Sequence, residues 1–207
     1  MTTNETTWRS GRYAVVDVEG NGAPTPDLVE LAIVHVDDGT IGDVVSWLVK
    51  PDQKIAHRVT RIHGITNADV ASAPKFEEIA SEVRRQLEGR LIVAHQATVD
   101  YGVLKRKMPD WSPEALVDTL RLARSRHPGL PSYALSALQR HFALDVVARK
   151  GEAPHRAGYD AQLAAELLVR LADDPAAGGI ITMAELLQMG RVDLPPVQAS
   201  PAQGAMF

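Results

Sequence analysis

The chain has 207 residues, is 45% hydrophobic and 23% charged, and contains no cysteine. These proportions fit one folded domain of roughly 150–180 residues with a tail. They exclude collagen, coiled-coil and wholly disordered classes, and the absent cysteine excludes disulfides, thiolate nucleophiles and Cys-ligated zinc. A net charge of −4 is not that of a globally basic nucleic-acid coat, although positive charge can still be local.

Residues 1–11 are polar and expected to be disordered. Tyr13-Ala14-Val15-Val16-Asp17-Val18-Glu19 reads as a strand carrying two acids, ended by the Gly20-Asn21-Gly22 turn. Leu28 to Val36 and Ile41 to Val49 read as two more strands, joined by the hairpin sequence Asp37-Asp38-Gly39-Thr40. A long polar connection containing Ile62-His63-Gly64-Ile65-Thr66-Asn67 follows. Phe76, Ile79, Ala80, Val83 and Leu87 then recur at helical spacing between Pro74 and Gly89. Leu91–Ala94 is a short buried strand, with a helix from about Thr98 to Lys107 ended by Pro109. Ala115–Asp118 is another strand, and further helices start at Thr119, at Ser132 and at Tyr159, the last reaching Leu171. Three strands followed by alternating helices and strands predict an α/β domain over 12–172 with a mixed sheet. From residue 173 the composition becomes linker-like, interrupted by a short helix over Met183–Leu187, and a flexible tail over 173–207 is expected. No apolar run approaches the roughly 20 residues that span a bilayer, and Met1–Glu5 does not resemble a secretory signal. The expected location is the cytoplasm, without membrane contact.

Asp17 and Glu19 stand at i and i+2 on one strand, so both leave the same face. Two adjacent carboxylates raise each other's pKa unless a cation neutralises them. The pair alone fits a metal site and a solvent-exposed strand face equally well. Asp100 follows a buried strand and sits near a helix start, where a carboxylate is favourable without any ligand. His155-Arg156-Ala157-Gly158-Tyr159-Asp160 places an imidazole on a loop led by Pro154 and a carboxylate at a helix start. Lys105-Arg106-Lys107 and the Arg121, Arg124, Arg126, His127 group each read as solvated basic faces.

At these segments the chain resembles the His-type DEDD 3′–5′ exonuclease superfamily, which includes the proofreading epsilon subunit of bacterial DNA polymerase III, RNase T and oligoribonuclease. The likeness rests on Val16–Gly22, Val93–Asp100 and His155–Asp160, with supporting segments at Ile62–Thr66, Val117–Leu120 and Tyr133–Leu138. It differs at Gly20-Asn21, where the family has two threonines, and at Gln96, where it has asparagine after the histidine.

The resemblance implies a ribonuclease H-like fold with a mixed five-stranded sheet flanked by helices. It implies two divalent ions, Mg²⁺ or Mn²⁺, held by Asp17, Glu19, Asp100 and Asp160, with His155 as general base. Val18, Gly20, Gly22, His63 and Gln96 would line the nucleotide pocket, and His95 would pack beneath the metal site. Oxygen-rich ligands without cysteine suit hard ions, and paired ions suit in-line displacement at phosphorus. The implied activity is release of nucleoside 5′-monophosphates from a single-stranded 3′ end, of DNA in proofreading or repair. An RNA-directed exonuclease or oligoribonuclease-like scavenger is the alternative within enzymes, and a non-catalytic nucleic-acid or polymerase-binding module is the alternative outside them. The closing Gln203-Gly204-Ala205-Met206-Phe207 resembles the bacterial sliding-clamp-binding pentapeptide through Gln203, Met206 and Phe207.

Overall fold

The computed structural model describes residues 6–146 and 153–194. Its frame is an antiparallel meander of β1 (Arg12–Gly20), β2 (Leu28–Asp37) and β3 (Thr40–Leu48). Asp38 and Gly39 turn the β2–β3 hairpin with φ of 52° and 75°, the left-handed pair that matches strand twist. β4 (Leu91–Ala94) then joins β1 in parallel, and β5 (Leu116–Asp118) joins β4 in parallel. The two-residue β6 (Arg191–Val192) pairs antiparallel with β5, giving the order β3-β2-β1-β4-β5-β6.

Strand alternation sorts the core into two layers. Ala14, Val16, Leu31 and Ile33 pack toward α2 (Phe76–Leu87) and α3 (Thr98–Lys107). On the other face Tyr13, Val15, Ala32 and Val34 meet α4 (Thr119–Arg126), α5 (Leu135–Phe142), α6 (Ala157–Asp173) and α7 (Met183–Gly190). Ala157, Ala161, Ala164 and Ala165 are all buried on α6, so its backbone can lie close to β1 and β2. No helix among the described residues is long and apolar enough to cross a membrane.

The structure corrects three expectations. The sheet has six strands rather than five, because Val192 pairs with Leu116 in a strand too short to show a period-2 pattern. The connection after β3 contains α1 (His57–His63), closed by Gly64 at φ 77°. Only His63 of α1 is buried, so the helix has no apolar stripe to read. Neither end of the domain stops where composition suggested. Trp8 is fully buried, and its Nε1–H donates to Asp173 Oδ1 at 2.7 Å. Thr7 bridges to Thr182, Trp8 N–H donates to the Ile181 carbonyl at 3.1 Å, and Thr182 with Glu185 forms a capping box that starts α7. The described parts of 1–11 and 173–207 therefore close on each other against the α6 face. Gln203, Met206 and Phe207 lie outside the described residues.

Trp8→Ala should destabilise the domain by about 3–5 kcal/mol, the range for a buried aromatic deletion, measured by urea unfolding. An unchanged midpoint would show that the N-terminal segment contributes nothing to the fold.

Candidate active site

Tyr13 and Val15 fill the α6-side core, and Asp17 and Glu19 continue the same alternation beyond it, at the C-terminal end of β1. A register shift between Glu19 and Gly20 ends regular pairing with β2 there. α6 begins above this point with Asp160 in its first turn. Oxygens of Asp17, Glu19 and Asp160 all lie within 4.8 Å of one another, a spacing at which one cation could touch all three. Asp100 is reached from the opposite face, in the first turn of α3. It is 4% exposed, and its Oδ1 accepts the Val18 N–H at 3.0 Å. One strand and two helix N-termini thus gather four acids that are distant in sequence.

Their electrostatics are those of an unneutralised cluster. Burial pushes the Glu19 carboxyl up to about 8, reinforced by the charges of Asp160, Glu30 and Asp100 and opposed by Arg156. Burial also pushes Asp100 up to about 8, against the pull of the Val18 N–H. Asp17 is raised well above the ordinary carboxylate range by burial and then by Asp100, Asp160, Glu19 and Glu30. Asp160 is raised by burial, while the charge and backbone N–H of His155 pull it down. Acids raised by burial and mutual repulsion, with carboxylate oxygens converging, suit hard divalent cations.

His155 is exposed, and its backbone N–H donates to Asp160 Oδ2 at 3.2 Å. Its φ of 67° is left-handed, unusual for a residue with a side chain. Val18, Gly20, Gly22 and His63 come together around an apolar cavity of about 190 Å³ beside Glu19, walled by Ile62 of α1 and Val99 of α3. Gly22 has φ 79°, and a Cβ there would lie 2.9 Å from Val59, so glycine is required by both backbone and space. The buried His63 ring accepts the Ile65 N–H at Nδ1, 3.1 Å away, leaving the proton on Nε2. Burial lowers its pKa against the Gly20 carbonyl, which favours the protonated ring. Gln96 does not line the cavity. It is exposed at the turn into α3 with φ 62°, its N–H bound to Asp118 Oδ1 at 2.9 Å.

His95 ties the second motif to two other segments, with Nδ1 at 2.9 Å from Thr119 Oγ1 and Nε2 at 3.0 Å from the Tyr133 carbonyl. Asp118 both fixes Gln96 and caps α4 through the Leu120 N–H at 2.9 Å. Arg106, Arg121 and Arg124 are exposed, as a solvated face requires, and the basic clusters also make contacts within the chain. Lys107 pairs with Asp27 at 2.6 Å, Arg106 donates to the Pro26 carbonyl, and Arg126 donates to the Leu171 and Gly179 carbonyls.

Sequence reasoning missed Glu30 and the role of Asn21. Glu30 is buried in β2 opposite Glu19 and pairs with Arg156. A charge inside an otherwise apolar strand, Leu28-Val29-Glu30-Leu31, was the available signal. Asn21 is buried and its Oδ1 accepts the N–H groups of Ala23 and Asp27, at 3.2 and 2.9 Å, which folds the loop bordering the cavity.

The family described as Exonuclease, RNase_T, matches residues 15–168. The chain is 28% identical over 170 residues to the DNA polymerase III subunit epsilon of Aquifex aeolicus, covering 79% of this chain and 82% of that protein. It is 31% identical over 162 residues to the 3′-5′ exonuclease DinG of Bacillus subtilis, spanning 73% of this chain but 16% of the relative. Among solved structures, Exonuclease X in complex with 5′ overhanging duplex DNA superposes with a TM-score of 0.70 at 32% identity, covering 84% of this chain and 98% of that one. Exonuclease I, at 16% identity and a TM-score of 0.66, shares the fold over 81% of this chain and 42% of its own.

The raised acids fix the sign of a pH effect. Glu19 and Asp100 bind protons more tightly folded than unfolded, so their contribution to the stability of the cation-free protein is fully present below the ordinary carboxyl range and is lost as pH rises through that range to about 8. Melting in EDTA should therefore occur at lower temperature at pH 9 than at pH 6. Glu19→Gln should shrink that difference, and excess Mn²⁺ should raise the midpoint more at pH 9. An EDTA midpoint equal or higher at pH 9 would contradict this electrostatic reading.

Proposed function

This chain belongs to the RNase_T family and is a 3′–5′ exonuclease of the DEDD class, and from that premise we propose that it releases nucleoside 5′-monophosphates from DNA 3′ ends during proofreading or repair. The observation that carries the reading is the convergence of Asp17, Glu19 and Asp160 within 4.8 Å, next to a cavity lined by Val18, Ile62, His63 and Val99. Asp17, Glu19 and Asp160, with Asp100 behind them, would hold two divalent ions. Such ions supply Lewis-acid charge at the phosphodiester and favour ionised water at neutral pH.

The protein's own groups do the rest. Ile62 and Val99 are more than half exposed at the cavity walls and offer apolar faces to one unstacked terminal base. A paired base would not enter, which favours a frayed or single-stranded 3′ end. His63 forms part of the cavity wall, with its ring buried and Nδ1 held by the Ile65 N–H. The His155 imidazole takes the proton of the attacking water at a ring nitrogen, as general base. Likeness to a polymerase III epsilon subunit and to Exonuclease X bound to duplex DNA supports DNA over RNA. Docking on a sliding clamp through Gln203, Met206 and Phe207 belongs to the same proposal and rests on their residue pattern alone.

Matched 5′-labelled single-stranded DNA and RNA, with Mg²⁺ or with EDTA, test the proposal. DNA should shorten from the 3′ end one nucleotide at a time, faster than RNA, and only with the cation. Asp17→Asn should abolish turnover, and His155→Ala should lower kcat about 10²–10⁴-fold with metal binding retained. Faster RNA digestion would move the protein to RNA turnover, and nucleic-acid binding without cleavage would make it a binding module.

A further inference from the structure

The carboxylate of Glu30 collects three donors from the chain that follows His155. Oε2 accepts Arg156 Nε–H at 3.0 Å and the Ala157 N–H at 2.9 Å, and Oε1 accepts Arg156 Nη2–H. This is a fork-on-fork pair with a backbone donor added, at the first residues of α6, where a negative group is also favoured by the helix dipole. Glu30 is 4% exposed and is held in β2 between Glu19 on β1 and Leu48 on β3. Its position is therefore rigid relative to the acid cluster.

His155 lies immediately before this anchor, in a left-handed backbone that persists only where its surroundings impose it. Asp160 holds its N–H from one side, and Glu30 holds the next two residues from the other. We propose that Glu30 is a positioning residue for His155: through Arg156 and Ala157 it fixes the backbone from which the imidazole reaches the reacting water. The inference rests on the reading of His155 as general base. It assigns to Glu30 no contact with cation or nucleic acid, which separates it from a fifth acidic ligand.

Glu30→Gln and Arg156→Gln weaken the link from either side, so one variant suffices if the other does not fold. Each is made alone and together with His155→Ala, then assayed for kcat and KM on a single-stranded DNA oligonucleotide, Mn²⁺ affinity and thermal melting. Each single variant should melt cooperatively, lose about ten-fold or more in kcat, and keep KM and Mn²⁺ affinity within about three-fold. Added to His155→Ala, neither should slow the enzyme further, because both act through the same imidazole. Parent kcat, a parallel fall in Mn²⁺ affinity, losses that multiply in the double variants, or failure of both single variants to fold would overturn the proposal. Full activity of His155→Ala would instead remove the base assignment, and the inference with it.

Discussion

Like charges gathered out of water repel, and this repulsion is the constraint around which the domain is built. Asp17 and Glu19 follow directly from the core positions Tyr13 and Val15, so their place is set by the pleat of β1. Asp160 and Asp100 come to them on the first turns of α6 and α3, from opposite faces of the sheet. Nothing local to any one segment favours this meeting. The hydrophobic layers on both faces hold the helices in place and thereby offset the electrostatic cost. Divalent cations are the natural complement, because they turn the same concentration of negative charge into a binding site.

Much of the polar structure around the acids positions other groups. The buried Glu30 holds the start of α6, and Asn21 folds the loop beside the apolar cavity. His95 and Asp118 join the end of β4 to α4 and to the Tyr133 segment. Arg126, His127 and Asp174 tie α4 and α6 to the chain that leads into α7, with Asp174 only 1% exposed. Several basic residues of the two clusters thus also bond to the chain itself. A net charge of −4 is consistent with an enzyme that attracts its substrate locally, not globally.

Legibility in the sequence followed the strength of the periodic signal. β1 to β5 and α2 to α6 stand close to where alternation, helical spacing, Pro74 and Gly89 placed them. The shared face of Asp17 and Glu19 was legible in period-2 spacing, whereas their grouping with Asp160 was implied only by the resemblance of the three segments to the exonuclease family. β6 and α1 were hidden, one being two residues long and the other burying only His63. The closure of Trp8 onto Asp173 was hidden for a different reason: it joins residues 165 apart, and no local pattern records a contact at that range. Glu30 was the most informative omission. A buried charge in an apolar strand needs a partner, but only the fold reveals that the partner is Arg156, beside the candidate base.

The central claim is that folding creates one shared cation site from these separated acids. Anomalous diffraction from a crystal soaked in Mn²⁺ tests it most directly. The account predicts peaks between Asp17, Glu19 and Asp160, at about 2.0–2.2 Å from carboxylate oxygens and with paired ions about 4 Å apart. Absence of a peak there, or carboxylates turned away from one another in the soaked crystal, would contradict it.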